Sequence, residues 1–221
     1  MRHLFLLAAL FCACISYAQI RVQERLPKSK TGFALTTAKA RAKIYYDAND
    51  ALVIKRSAEL FARDIQMVTG QKPELIQKRE RAKALVIVGT IEKNQWICEL
   101  AQKGKIDIRP LQGAWERYLI QTVDNPSPGV AKALVIAGSD RRRAAYGLFS
   151  ISEMMGVSPW YWWGDVPVKT HKALYVDAPP TYSKTPSVKY RGIFLNDEDW
   201  GLKPWAAKTF EKERGNIGPR T

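Results

Sequence analysis

Two stretches of this chain read almost alike: AKALVIVGT at residues 82–90 and AKALVIAGS at residues 131–139. After its lysine each is an unbroken apolar run, rich in β-branched side chains, that ends in a glycine and a hydroxyl residue. A strand with one wet face alternates apolar and polar residues; these do not, so both faces must be covered, as in the centre of a parallel sheet. Each run also precedes a helical pattern. Strands and helices alternating in this order make an α/β layer architecture. The flanks of the two runs do not match, so the shared wording reflects a shared structural demand rather than a duplicated unit.

The remaining pattern fits that frame. FALTT and AKIYY, within residues 33–46, are β-prone runs separated by AKARA and read as a strand pair. From Asp50, a capping residue, the period lengthens: Ser57, Phe61, Ile65 and Val68 recur at helical spacing until Gly70, with Pro73 just beyond. A second helix spans about residues 92–103, with Trp96 and Leu100 one turn apart. A third spans about residues 141–155, with Ala144, Leu148, Ile151 and Met155 on one face and Gly156 as its stop. ERYLIQTV at residues 116–123 is a further strand, and DNPSPG reads as the turn that separates it from the second repeat. The proline-rich run at residues 173–190 reads as an extended wrapping linker with a domain boundary within it, after which RGIFL at residues 191–195 starts something new.

The first eighteen residues stand apart. MRHLFLLAALFCACISYA has a basic head, an apolar run and a small-x-small site ending at Ala18, the pattern of a secretory leader. The chain is therefore expected to be exported, to the periplasm or beyond. A lipoprotein is the weaker alternative, because Phe11 fits a lipidation box poorly. Cleavage after Ala18 would remove Cys12 and Cys14 and leave Cys98 alone, so no internal disulfide could support the fold. The formal charge of +14 on 221 residues would attract acidic partners. The basic residues are spread along the chain and no nucleic-acid-binding signature accompanies them, so nucleic acid is not an expected partner. His3 and His171 are the two histidines and His3 lies in the leader, which leaves no histidine cluster for a metal. No phosphate-binding or dinucleotide glycine pattern follows Gly89 or Gly138, so no cofactor is expected.

Three segments carry candidate chemistry. GSDRRR, residues 138–143, lies where a buried strand enters a helix. Free amides there favour an anion, and Arg142 or Arg143 could grip a carboxylate in a two-pronged fork; equally, Asp140 or Ser139 could cap the helix while the arginines face water. Trp160, Trp162 and Trp163, with Trp200 and Trp205, concentrate indoles in the last third of the chain, where they could cover the apolar face of a sugar or fill a joint between domains. The acidic run Asn196, Asp197, Glu198 and Asp199 follows RGIFL. Glycoside hydrolysis needs two separated carboxyl groups, and neighbours at a strand end point in different directions, so at most one of Asp197 and Glu198 would face a given pocket. A solvated turn accounts for the same residues equally well.

The segments GSDRRRAAYGLFSISEMMGVSPWYWWGDVPV, residues 138–168, and YRGIFLNDEDWGLKPWA, residues 190–206, resemble the start of bacterial xylan α-1,2-glucuronidases of glycoside hydrolase family 115. The similarity extends in looser form from about residue 32 to residue 221. The resemblance implies an N-terminal mixed-sheet α/β domain with covering helices (residues 19–180), then a linker and the first strand of a truncated TIM barrel (residues 181–221). It implies inverting removal of glucuronic or 4-O-methylglucuronic acid from acidic xylan or xylo-oligosaccharides, and a homodimer of the whole protein. By the same resemblance, Asp197 and Glu198 are candidate catalytic residues at the end of the first barrel strand. Asn196, Asp140, Arg142, Trp160, Trp162 and Trp163 are candidate substrate contacts. Arg143 stands where the family motif often has glycine. A TIM barrel takes about 250 residues, so the rest of the barrel, with the principal acid and base, is expected from sequence beyond these 221 residues, and the chain alone is expected to be inactive. The rival reading is a noncatalytic carbohydrate-binding or interaction domain.

Overall fold

The computed structural model describes residues 19–161, 164–192, 194, 202–209 and 212–215. These fall into two units that divide after Thr185. The first is organised by a six-stranded sheet of β3 (Lys43–Tyr46), β4 (Leu75–Ile76), β5 (Ala82–Thr90), β6 (Tyr118–Ser127), β7 (Val130–Gly138) and β9 (Thr181–Tyr182), in the order β4-β3-β5-β7-β6-β9. Strands β4, β3, β5 and β7 are parallel, whereas β6 is antiparallel to both neighbours, so the sheet is mixed.

The two repeated runs lie side by side as β5 and β7, offset by one residue: Leu85 pairs with Ala133 and Val86 with Leu134. Since side chains alternate along a strand, that offset sends equivalent letters to opposite faces. Val86 and Val88 join Leu134 and Ile136 on one face, while Leu85 and Ile87 join Ala133 and Val135 on the other. All eight are buried.

Helices cover each face. On the first lie α1 (Leu52–Thr69) and α3 (Arg141–Met154), through Phe61, Ile65, Leu148 and Ile151. On the second lies α2 (Gln95–Gln102), through Trp96, Ile97 and Leu100. Trp96 is almost wholly buried and edge-on to Tyr45, with ring centroids 4.9 Å apart. Complete burial of one such aromatic or aliphatic side chain contributes roughly 1.5–3 kcal/mol, which makes these helical stripes the main attachment of each layer. Gly70 ends α1 in a left-handed turn at φ 72, donating its N–H to Gln66 O.

Several details depart from the sequence reading. The FALTT and AKIYY runs do not pair with each other. β2 (Gly32–Thr36) belongs to a separate three-stranded antiparallel sheet with β1 (Arg21–Gln23) and β8 (Leu174–Asp177), while β3 enters the large sheet. A single bridge between Thr36 and Arg41 turns the chain from one sheet into the other. Asp50 does not cap α1, whose N-cap is Ala51; its carboxylate instead accepts Thr90 N–H at 2.7 Å. The DNPSPG run is mostly strand, because β6 continues through a register shift between Asp124 and Ser127. The turn is Pro128-Gly129, with Gly129 at φ 84 as the second turn residue requires. The proline-rich run at residues 173–190 is not extended linker throughout: it holds the short strands β8 and β9, and the division between the two units falls within it.

The second unit, residues 186–221, includes α4 (Leu202–Thr209), in which Ala206 is buried. Of the expected first barrel strand, Arg191, Gly192 and Phe194 are described and carry no strand pairing; Phe194 is 90% exposed. No helix among the described residues is long and apolar enough to cross a membrane.

Candidate functional site at the carboxyl edge of the sheet

Open α/β sheets expose their loops at the carboxyl ends of the strands, and there the GSDRRR segment is drawn into a compact ionic knot. Gly138 ends β7 because the chain turns at once against α3: a Cβ at this position would stand 2.3 Å from Ala144 N and 2.6 Å from Asp140 O. Asp140 then caps α3, its Oδ1 accepting the Arg142 and Arg143 N–H groups at 2.9 and 3.0 Å. Its Oδ2 accepts Glu116 N–H at 3.0 Å and the Ser139 hydroxyl at 3.2 Å. The expectation that Asp140 contacts substrate thus meets a carboxylate already engaged by four internal donors.

Arg142 is engaged as well. Its Nη1 lies 3.0 Å from Glu116 Oε1, and Arg143 Nη2 lies 3.9 Å from Glu116 Oε2. Glu116 is 3% exposed and holds a left-handed backbone at φ 48, a conformation that costs a non-glycine residue roughly 1–2 kcal/mol. Burial of that carboxylate is compensated by the two guanidinium groups. The Tyr146 side chain, and then Glu116, push the Arg142 guanidinium above its ordinary value. The Arg143 guanidinium sits 5.2 Å from the centre of the Tyr146 ring. Asp140 caps the helix, as one of the two alternatives has it, but the arginines do not face water alone: Glu116 holds both, with Arg142 about half exposed and Arg143 largely covered. Glu116 was legible in the sequence only as the polar residue at the head of a strand.

The first repeat ends in a similar way without any arginine. Gly89 leaves room for Asn94 and Asp50, whose nearest side-chain atoms would stand 2.4 and 2.7 Å from a Cβ. Buried Asn94 caps α2 through Oδ1, accepting from Trp96 and Ile97 N–H at 3.1 Å each, and its amide donates to Val88 O at 2.9 Å. Asp47 accepts Asn49 N–H at 2.9 Å and Gln95 N–H at 3.2 Å. Sequence reading missed Asp47 altogether and made Asp50 a helix cap, whereas it receives Thr90 at the end of β5. The signal available was YYDAND: two carboxylates directly after a strand.

Trp160 lies in a short 3-10 turn, Pro159–Tyr161, and is 64% exposed. It follows the C-terminal end of α3, whereas Asp140 and Arg142 begin that helix. With 14 residues at ~1.5 Å each, about 20 Å of helix lies between them. No hydrogen bond or ion pair joins the two groups among the described residues. Trp162, Trp163, Asn196, Asp197 and Glu198 lie outside the described residues.

The sheet and its covering helices also set what the chain is similar to. A solved structure, that of "a novel family GH115 4-O-methyl-alpha-glucuronidase, BtGH115A, with specificity for decorated arabinogalactans", superposes with a TM-score of 0.64 at 33% identity over 81% of this chain. The sequence pattern of glycosyl hydrolase family 115 matches residues 183–221. By both matches the chain is similar to family 115. The two matches are complementary: the family pattern falls on the last 39 residues, and the structural likeness must draw mostly on the α/β domain before them. The chain spans 22% of the length of that family 115 structure. Other solved structures are more distant. One described as CpGH84D shows 11% identity and a TM-score of 0.43 over 73% of this chain and 22% of its own. A GH20 β-N-acetylhexosaminidase from Streptomyces coelicolor A3(2) shows 14% identity and a TM-score of 0.38 over 77% of this chain and 25% of its own. No curated protein matches the chain at a significant level.

Proposed function

We propose that the whole protein is an exported, inverting glycoside hydrolase that removes glucuronic or 4-O-methylglucuronic acid side groups from xylan. In this reading the chain supplies the N-terminal α/β domain and the opening of the catalytic barrel. The observation that carries the reading is the 33% identity to a family 115 glucuronidase, sustained over 81% of this chain. In an inverting mechanism one carboxyl group protonates the leaving oxygen while another activates a water on the far side of the sugar, with about 6.5–9.5 Å between them. Asn196, Asp197 and Glu198 belong to the stretch matched by the family pattern. They would orient the sugar or that water, and the principal acid and base would come from beyond residue 221. Arg142 contributes less to uronate binding than its charge suggests, because Glu116 already compensates it. No cofactor is required by this chemistry, and a homodimer of the whole protein belongs to the same reading.

A second substrate is favoured by one observation: the similar family 115 structure is described as specific for decorated arabinogalactans. The deciding experiment incubates the product of the complete reading frame with glucuronoxylan and with glucuronidated arabinogalactan. Released uronic acid is followed by NMR, which reads both the sugar and its anomeric configuration. Release from xylan with inverted configuration is expected, and Asp197→Asn should abolish most of it. Release from arabinogalactan alone would move the substrate; no release from either would leave the noncatalytic carbohydrate-binding reading in place. The 221-residue chain by itself is expected to release none.

A further inference from the structure

Where β5 and β7 begin, at the end of the sheet opposite Asp140 and Glu116, the surface opens into a groove of about 730 Å³. Its walls are the first residues of β5 and β7, the end of α2 and the turn between β6 and β7. Arg81, Lys83, Lys103 and Lys105 line it, and its lining contains no carboxylate. The carboxylates around it are committed elsewhere. Glu80 lies 2.7 Å from Lys43, Asp124 lies 3.1 Å from Lys132, and Glu99 receives a two-pronged bond from Arg79 at 2.6 and 2.8 Å. That bond holds the Glu99 carboxyl below its ordinary range. Lys103, 3.9 Å from Glu99, therefore shares a charge that Arg79 already balances. Arg81 and Lys83 are exposed and form no ion pair among the described residues. Lys105 spends one donor on the Asn125 carbonyl and keeps its charge uncompensated.

The shape is built rather than incidental. The register shift after Asp124, with Asn125 at φ 46, bends β6 over the groove. Gly129 lets the turn lie flat against the Arg81 stem, where a Cβ would stand 2.9 Å from Arg81 Cγ. Ala82 and Lys83 also line a neighbouring cleft of about 410 Å³ that reaches Arg41 at the approach to β3, so the basic surface extends beyond one sugar ring. Like charges in one groove repel one another, and an anion relieves that repulsion. Arginine and lysine suit a carboxylate, and the Asn125 and Ser127 side chains offer hydrogen bonds to hydroxyls. No aromatic side chain lines the groove, so it lacks the stacking surface that single-stranded nucleic acids use.

We propose that this groove binds a carboxylated polysaccharide, with a uronate carboxylate held between Arg81 and Lys83. The identity of the anion as a glycan rests on the glycosidase reading above; the groove's preference for an anion does not. The test is affinity electrophoresis of the 221-residue chain through gels containing glucuronoxylan, carboxyl-reduced xylan or duplex DNA, at about 0.15 M ionic strength. Glucuronoxylan should retard the chain and carboxyl-reduced xylan should not. The double variant Arg81→Glu/Lys83→Glu should bind glucuronoxylan about tenfold more weakly, with an unchanged circular dichroism spectrum. Equal retardation of the variant, retardation by carboxyl-reduced xylan, stronger retardation by DNA than by glucuronoxylan, or no retardation at all would each overturn the proposal. The result is separable from the enzyme assay: uronic acid release by the complete protein can succeed while the groove fails, and the groove can bind while no sugar is released.

Discussion

The two ends of the parallel strands β5 and β7 carry similar residue types and treat them in opposite ways. At the carboxyl edge, Arg142 and Arg143 are held on buried Glu116, and Asp140 is spent on backbone amides. At the amino edge, Arg81 and Lys83 stand without an ion partner among the described residues. With nine residues in each strand at ~3.3 Å per residue, roughly 30 Å separates the edges. The contrast teaches that a cluster of basic letters says little about charge available to a ligand. What decides is whether a carboxylate of the same chain has been folded against it.

The strongest way to break the carboxyl edge is Gly138→Ala. The added methyl meets backbone on two sides, so the turn into α3 must shift, and a loss of about 3 kcal/mol is expected in urea denaturation. Wild-type stability would show that the turn is not held as described. Glu116→Gln comes next. It leaves Arg142 and Arg143 without their carboxylate, and because Arg142 is half exposed the cost is discounted to about 2 kcal/mol. If Glu116→Gln costs nothing, the arginines are as free as those at the other edge and the comparison fails. Asp140→Ala removes a cap and should cost about 1 kcal/mol, read as a lower melting temperature that Asp140→Asn largely restores. At the amino edge, Arg81→Glu/Lys83→Glu should change stability by less than about 0.5 kcal/mol, since no internal partner is lost. A large loss there would mean that those side chains are structural too.

Much of this architecture could be read from the letters. The repeats became β5 and β7 because a short apolar run rich in β-branched residues suits a doubly covered strand. α1 and α3 emerged from their period and from Gly70 and Gly156, which close them in left-handed turns at φ 72 and 92. What could not be read was partnership. β2 and β3 are separated by only six residues yet belong to different sheets, because β2 finds β8 from the far end of the domain. β8 and β9 hid among prolines because such short strands draw their stability from neighbours rather than from their own pattern. At the candidate site, Asp140 and Arg142 were placed correctly at the strand-to-helix junction. Their engagement could not be foreseen, since Glu116 lies 24 residues before Asp140 and nothing local marks it as buried. The acidic run after RGIFL lies outside the described residues.

The one-residue offset between the repeated runs carries a last consequence. Their side chains are so nearly interchangeable that composition alone cannot assign either run its seat in the sheet; chain connectivity has to. The Pro128-Gly129 turn seats the second run beside β6 at the smallest loop-closure cost. That hairpin is the most local pairing in the sheet, whereas the first run reaches β7 only across α2 and β6.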